Sequence, residues 1–416
     1  MRTIGVVTVG RSDYGIYLPV LRRIQDDADL RLHLLVAGMH LAAEFGSTVR
    51  MIEDDGFPIA ERIDMLLSSD TPEGIAKSMG IGLLGFAQAY RRSRPDLLLV
   101  LGDRFEMYAA VAAAVPFGIP LAHLHGGELT EGAIDDGLRH SMTKLSHLHF
   151  VATETFRRRV IQMGEEPWRV IVSGAPSLDH LPTMRRLDYA ELKTRLGLRV
   201  APPMVLATFH PVTLEYDQAE RQVGQLLEAL QMCDMPVVIT APNADTNGRV
   251  IRRRIERFVE RSSRAQFVEN VGIEGYFNLM AHAAVMVGNS SSGLIEAPSF
   301  GLPVVNIGTR QQGRLRAANV IDVGYERTEI LAGIRQALEP TFRDRLRGLA
   351  NPYGNGQAAR VIVETLKTIP LTEALLRKRF VDLGFRQIEE GPAGSSPTLQ
   401  STPSESFISS GGRDAH

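Results

Sequence analysis

A single cysteine, Cys233, stands among 416 residues, which excludes internal disulfides and a cysteine-built metal cluster. An excess of charge is also lacking. A net charge of −2 and a pI of about 6.6 give no global field that would draw the chain to nucleic acid or to an anionic membrane. Long hydrophobic runs are missing too. The longest stretch of low polarity, Tyr108 to Ile119, is interrupted by Pro116 and falls well short of the roughly 20 residues of a spanning helix. At the N-terminus, TIGVVTVG (3–10) has a strand pattern, not the basic-then-apolar pattern of a secretion signal. The expectation is a soluble cytoplasmic protein, and at this length two domains.

What the chain does have is rhythm. Short, continuous apolar runs alternate with helical patterns: TIGVVTVG, LRLHLLVAG (30–38), DLLLVLG (96–102), PLAHLH, LHFVAT and RVIVSG. Strands that are apolar on both sides and separated by helices imply a parallel sheet covered on both faces. The rhythm breaks from Ala175 to about Tyr189 and resumes with MVLATFH (204–210), PVVITAP, AQFVEN, VMVGNS, PVVNIG and NVIDVG. This predicts an α/β chain of two Rossmann-like halves facing a cleft. We expect an N-terminal domain over 1–177, a C-terminal domain over 178–356, returning helices over 357–388, and a disordered Ser/Gly/Pro-rich tail over 389–416. The arginine-rich segment 252–264 resembles a nucleic-acid patch, but Glu256 and Glu260 fall at helical spacing and predict a solvated helix face.

Ligands of such sheets bind beyond the carboxyl ends of the strands, so the residues just after each strand matter most. In GNSSSGLIEAPSFG (288–301), serines lead into a short helix over Leu294–Phe300. Ser290 and Ser291 with backbone N–H groups suit a diphosphate, and Glu296 suits a ribose diol; the same serines also read as an ordinary helix cap. Asp103 in GDRFE reads as a cleft carboxylate or as the cap of the helix after it. HLHGGELTEGAIDD (123–136) sets His123 and His125 on one strand face and crowds Glu128, Glu131, Asp135 and Asp136 behind them. Clustered carboxylates suit general acid–base work, because like charges raise one pKa; a His/Glu/Asp metal site is the rival reading. His210 in FHPVT, Arg11 opening the loop in GRSDYG, Asn243, Asn270 and Arg310 in GTRQQGR complete the strand-end set, the arginines suited to phosphate.

Together these motifs, in this order and with NPYGNG (351–356) and LLRKRFVDLGF (375–385) after them, resemble the hydrolysing UDP-N-acetylglucosamine 2-epimerases that serve sialic and legionaminic acid synthesis. The resemblance runs from about residue 3 to 369. It implies the GT-B fold and a nucleotide-sugar substrate, with UDP lost by anti elimination across C1–C2 and water then added to a 2-acetamidoglucal. No metal or nicotinamide cofactor is implied, and a homo-oligomer, dimer or tetramer, is expected. UDP-N-acetylglucosamine is the first substrate reading. A UDP- or GDP-linked 2,4-diacetamido-6-deoxy sugar is the alternative, and a GT-B glycosyltransferase a more distant one. Asp103 and Asp135 match the family's acid–base positions. Arg11, His210, Asn243, Ser290, Ser291 and Arg310 match groups that meet the departing UDP, and Glu296 its ribose. Where some relatives carry HxEGGE this chain has His125, so either His125 or Glu128 takes the place of that glutamate.

Overall fold

The structure is a computed structural model that describes residues 1–382 except 44–45, 70, 131–133, 243–247 and 270, and not the side chains of 213, 214 and 216. Residues 1–381 form one compact unit. The expected tail lies outside the described residues, as do Glu131, Asn243 and Asn270.

Two parallel sheets organise the unit. In the first, β1 (Arg2–Thr8), β2 (Leu30–Ala37), β3 (Ile59–Ile63), β4 (Leu97–Leu101), β5 (Leu121–Leu124), β6 (Leu148–Val151) and β7 (Val170–Val172) are ordered β3-β2-β1-β4-β5-β6-β7. The second comprises β8 (Met204–Thr208), β9 (Val237–Thr240), β10 (Ala265–Val268), β11 (Ala283–Gly288), β12 (Val304–Ile307) and β13 (Val320–Val323), ordered β10-β9-β8-β11-β12-β13. The central strands are buried along their whole length, which is why they read as unbroken apolar runs. Sequence reading passed over β3. It is an edge strand that alternates exposed and covered residues through Ala60, Glu61 and Arg62, and its short polar alternation carries no core signal.

The order of each sheet reverses once, between β1 and β4 and again between β8 and β11. Those two switch points are where loops diverge and leave a crevice. Arg11 and Asp103 follow β1 and β4; His210 and Ser290 follow β8 and β11. The two halves thus repeat one topology without repeating a sequence.

Local chemistry fixes these turns. Arg11 was expected to open a loop, but it is the first residue of a helix, Arg11–Asp26. The Asp13 carboxylate accepts the N–H groups of Val9 and Gly10, both at 2.7 Å, and the Thr8 hydroxyl at 3.0 Å, so the helix starts directly off the strand. Gly288 ends β11 at φ 142°, and a Cβ there would lie 1.9 Å from the Thr208 carbonyl oxygen. Only glycine lets β8 and β11 diverge so closely. The helix Ala358–Thr368 packs Ala358, Ile362 and Leu366 into the first half's core beside Ile4 and Val6. The buried Arg169 then donates to the carbonyls of Ala374 (2.9 Å) and Leu375 (2.7 Å). The arginine-rich helix, Gly248–Arg261, buries Ile251 and Ile255 and pairs Arg252 with Glu256 at 2.8 Å, a solvated face as expected.

Candidate active site

Arg11, Asp103, His125, Glu128, Asp135, His210, Ser290, Ser291, Glu296 and Arg310 all line one cavity of about 610 Å³ between the sheets.

On the first-half side, Asp103 does not cap the helix Phe105–Ala114, which begins without a side-chain cap. Its carboxylate is instead paired with the buried Arg139 guanidinium. Arg104 beside it turns away and holds the buried Glu106 with two bonds of 3.1 Å. Burial works against the Arg139 charge, and the carboxylates of Asp103, Glu128, Asp135 and Asp136 outweigh it, raising its pKa. Arg139 also donates to the Thr130 hydroxyl at 3.2 Å. The helix carrying it begins at Asp135, and Asp136 accepts the Thr130 N–H at 2.7 Å.

The two histidines of HLH do not share a face, because β5 stops at Leu124 and His125 has φ 64°. His123 is buried, with Nε2 2.8 Å from the Gly102 carbonyl and Nδ1 3.1 Å from the Thr143 hydroxyl. Burial lowers its pKa to about 3. The ring is therefore neutral, with Nε2–H donating to Gly102 and the Thr143 hydroxyl donating to Nδ1, and it fixes the turn that presents Asp103. His125 places Nδ1 2.5 Å from Glu128 Oε1, while its Nε2 is buried without a hydrogen-bond partner among the described residues. Burial would raise Glu128; His125, Arg314 and Arg139 outweigh burial and hold it at about 2.

On the second-half side, the serine loop departs from expectation in one respect. The helix after Ser291 is a single turn, Ser292–Ile295, followed by a 3₁₀ turn, Ala297–Phe300. A helix dipole needs more aligned peptides than that, so attraction for an anion would rest on hydroxyls, N–H groups and the flanking arginines. Ser290 and Ser292 hydroxyls are 2.8 Å apart, with the Tyr276 phenol 3.3 Å from Ser292. Glu296 sits between the two short turns and accepts the Ser177 hydroxyl at 2.5 Å across the domain junction. Burial raises its pKa to about 7 against the pull of Ser177 and His125.

Three residues that sequence reading did not single out hold this arrangement together. Asn289 clamps the His210 backbone from both sides, accepting its N–H at 2.7 Å and donating to its carbonyl at 2.8 Å. The Asn289 carbonyl in turn accepts Arg310 (3.2 Å) and Gln311 (2.8 Å). Arg314 crosses from the second half, donating to the Leu129 carbonyl (3.0 Å) and Thr130 hydroxyl (3.2 Å) and lying 3.7 Å from Glu128 Oε2. Arg139 is the third. Its place four residues after Asp135 was a usable signal, since residues so spaced share a helix face. Among the described residues no three His, Cys, Asp or Glu side chains are arranged to hold a metal ion. No described helix is long and apolar enough to cross a membrane.

Comparison with known proteins shows the family and the fold. Residues 22–367 match the family model described as UDP-N-acetylglucosamine 2-epimerase. A Legionella pneumophila protein described as a hydrolysing UDP-N,N'-diacetylbacillosamine 2-epimerase is 38% identical, over 91% of this chain and 99% of its own. A Campylobacter jejuni protein described as a hydrolysing GDP/UDP-N,N'-diacetylbacillosamine 2-epimerase is 37% identical, over 92% of this chain and 99% of its own. Among solved structures, UDP-GlcNAc 2-epimerase from Neisseria meningitidis, bound to UDP-GlcNAc, superposes with a TM-score of 0.75 at 20% identity, covering 88% of this chain and 99% of that one. Fold and sequence agree: this chain belongs to the UDP-N-acetylglucosamine 2-epimerase family.

Proposed function

We propose that the chain is a hydrolysing 2-epimerase whose substrate is a nucleoside-diphosphate-linked 2,4-diacetamido-6-deoxy sugar, UDP-N,N'-diacetylbacillosamine first. Sequence motifs alone put UDP-N-acetylglucosamine first. The shift rests on two relatives, 38% and 37% identical, each described as acting on the diacetamido sugar. UDP-N-acetylglucosamine stays as the second reading, on the description of the family model.

The observation that carries the reaction type is the polarity of the cavity. One wall carries proton-transfer groups: Asp103, Asp135 and the His125–Glu128 pair. The other carries groups suited to a departing nucleotide: His210, Ser290, Ser291 and Arg310 for the diphosphate, joined by Arg11 from the first half, and Glu296 for the ribose. Removal of the C2 proton sends the C2–H electron pair into a C1–C2 double bond as the C1–oxygen bond breaks and the diphosphate leaves with the pair of that broken bond. Water then gives its oxygen to C1 and one proton to an enzyme base, while C2 takes a proton on the opposite face. The products are the free 2-epimer, the nucleoside diphosphate and one proton. Binding energy from the nucleotide positions the sugar for these steps.

The test is a panel of UDP- and GDP-linked sugars with one or two acetamido groups, scored by NMR for free nucleotide and free sugar. The expected result is release of both, fastest from the diacetamido substrate. Return of an intact nucleotide-linked epimer, or turnover with a monoacetamido sugar alone, would overturn the proposal in reaction type or in substrate.

A further inference from the structure

We propose that His125 is the base that removes the C2 proton, that Glu128 orients and supports its ring, and that Arg314 braces this pair from across the cleft. The assignment rests on the hydrolysing-epimerase reading above and decides between two groups that the sequence left open.

The geometry of the pair is that of a carboxylate-supported imidazole. Glu128 Oε1 lies 2.5 Å from His125 Nδ1, so an ionised Glu128 fixes Nδ1 as the protonated nitrogen and leaves Nε2 as the basic one. Nε2 is buried on the cavity wall and has no hydrogen-bond partner among the described residues. A buried imidazole nitrogen left unpaired in this way costs stability, and the left-handed φ of 64° that puts it there is sparsely populated. Both costs fall on a residue that lines the substrate cavity.

Glu128 itself is badly placed for the chemistry. One oxygen is taken by His125, and the other faces Arg314 at 3.7 Å. Arg314 and Arg139 also act to lower the pKa of this carboxylate, and base strength falls with pKa. Its position behind the ring is that of an orienting group, as a buried carboxylate orients the imidazole in hydrolase triads.

Arg314 adds a condition. It belongs to the second half, a few residues past Arg310 and Gln311, which hold the Asn289 carbonyl beside the serine loop. Its guanidinium reaches Leu129, Thr130 and Glu128 in the first half. The loop that touches the nucleotide wall therefore also steadies the loop that carries the base. Charged groups surround the pair: Glu128 contacts His125 directly, Arg139 and Arg314 act on Glu128, and Glu296 of the other half interacts with His125.

In the reaction, His125 Nε2 accepts the C2 proton while the diphosphate leaves with the C1–oxygen electron pair. The imidazolium is stabilised by Glu128 and returns its proton to solvent before the next turnover. The proton added to C2 arrives on the opposite face from a second group.

The test measures kcat/KM against pH, the effect of deuterium at substrate C2, and UDP binding by calorimetry in wild type, His125→Asn, Glu128→Gln and Arg314→Gln. Asparagine tolerates a left-handed φ, so His125→Asn keeps the fold. We expect it to lose about 100-fold or more in kcat, the usual contribution of a positioned base, with UDP affinity within about threefold of wild type, since no diphosphate contact is removed. Glu128→Gln removes the negative charge that favours the protonated ring, so the acid limb moves to lower pH. Arg314→Gln removes a positive charge near the pair, so the limb moves to higher pH. A purely structural Arg314 would change stability without moving the limb. If wild type turns over and His125→Asn keeps more than about one-tenth of the rate and the full isotope effect, the assignment is overturned while the functional reading stands. If wild type releases nucleotide from no substrate of the panel, both fall.

Discussion

Replacing Glu296 by glutamine should make the ligand-free protein more stable at alkaline pH, and the structure sets the size of the effect. Glu296 is buried, and its carboxyl accepts the Ser177 hydroxyl at 2.5 Å and interacts with its own backbone N–H. Burial raises its pKa from 4.5 to about 7. A carboxyl whose pKa is raised in the folded state contributes stability that is fully present below about 4.5 and lost as pH rises through 7. The full difference corresponds to about 3 kcal/mol, of which about 2–3 kcal/mol falls between roughly pH 5 and pH 8.5.

Glutamine has the same shape, still accepts from Ser177 and never ionises. Denaturant unfolding of both proteins at the two pH values, without nucleotide, isolates the term, because every other titrating group cancels in the comparison. The expected outcome is a variant that gains about 2–3 kcal/mol on wild type on going from pH 5 to pH 8.5. An equal difference at both pH values would show that the Glu296 carboxyl is not destabilised by burial. The same variant should bind UDP more weakly and lose less affinity for 2′-deoxy-UDP, since a neutral amide is a poorer acceptor for the ribose hydroxyls. A site destabilised in the empty protein and satisfied by its ligand is the usual trade between stability and activity.

Asp103→Asn and Asp135→Asn should each lower kcat by about two orders of magnitude or more while UDP still binds; near-normal turnover in either would reduce that carboxylate to a structural partner of Arg139. Ser290→Ala removes one hydroxyl from a group of donors and should weaken UDP by about 1–2 kcal/mol in calorimetry, with no change identifying Ser290 as a partner of Ser292 alone. Gly288→Ala drives a Cβ to 1.9 Å from the Thr208 carbonyl and should cost more than about 3 kcal/mol or prevent folding, read as lost soluble yield and a lowered Tm; a wild-type Tm would show that β8 and β11 can part without glycine.

The sheets were legible because their strands are buried on both faces, so local composition alone marks them. The edge strand β3 was not, since Glu61 and Arg62 answer to solvent. Candidate site residues were legible where they follow a strand, since the topology brings strand ends together wherever the sequence places them. Their partners were not. Nothing local says that Arg139 turns inward to Asp103, or that Arg314 pairs with the HLHGGE loop 184 to 186 residues earlier. The serine loop misled in part for a related reason. Serines before an apolar stretch read as the start of a helix, but Gly293 packs so closely on Val304, with Pro298 soon after, that only one turn forms before the chain changes course.

The arrangement also explains why the chemistry sits between two halves instead of within one. On the proposed reading, elimination across C1–C2 needs a base and a leaving-group site at a fixed separation; the first half would supply the base, and the second, joined by Arg11 of the first, the leaving-group site. Among the described residues their separation is fixed by polar contacts, including Arg314 on Leu129 and Thr130, Ser177 on Glu296 and His180 on the Gly15 carbonyl at 2.8 Å, and by an apolar cluster in which Leu294 and Ile295 pack with Val151, Phe156 and Leu178. Each of these polar contacts is worth about 1 kcal/mol, small beside the two cores. Such a junction holds the halves in register, yet one nucleotide bound to groups of both halves can contribute more free energy than these polar contacts together. In the functional reading proposed here, the nucleotide is therefore both the leaving group and the piece that draws the base onto the sugar. A substrate stripped of its nucleotide should lose rate as well as affinity.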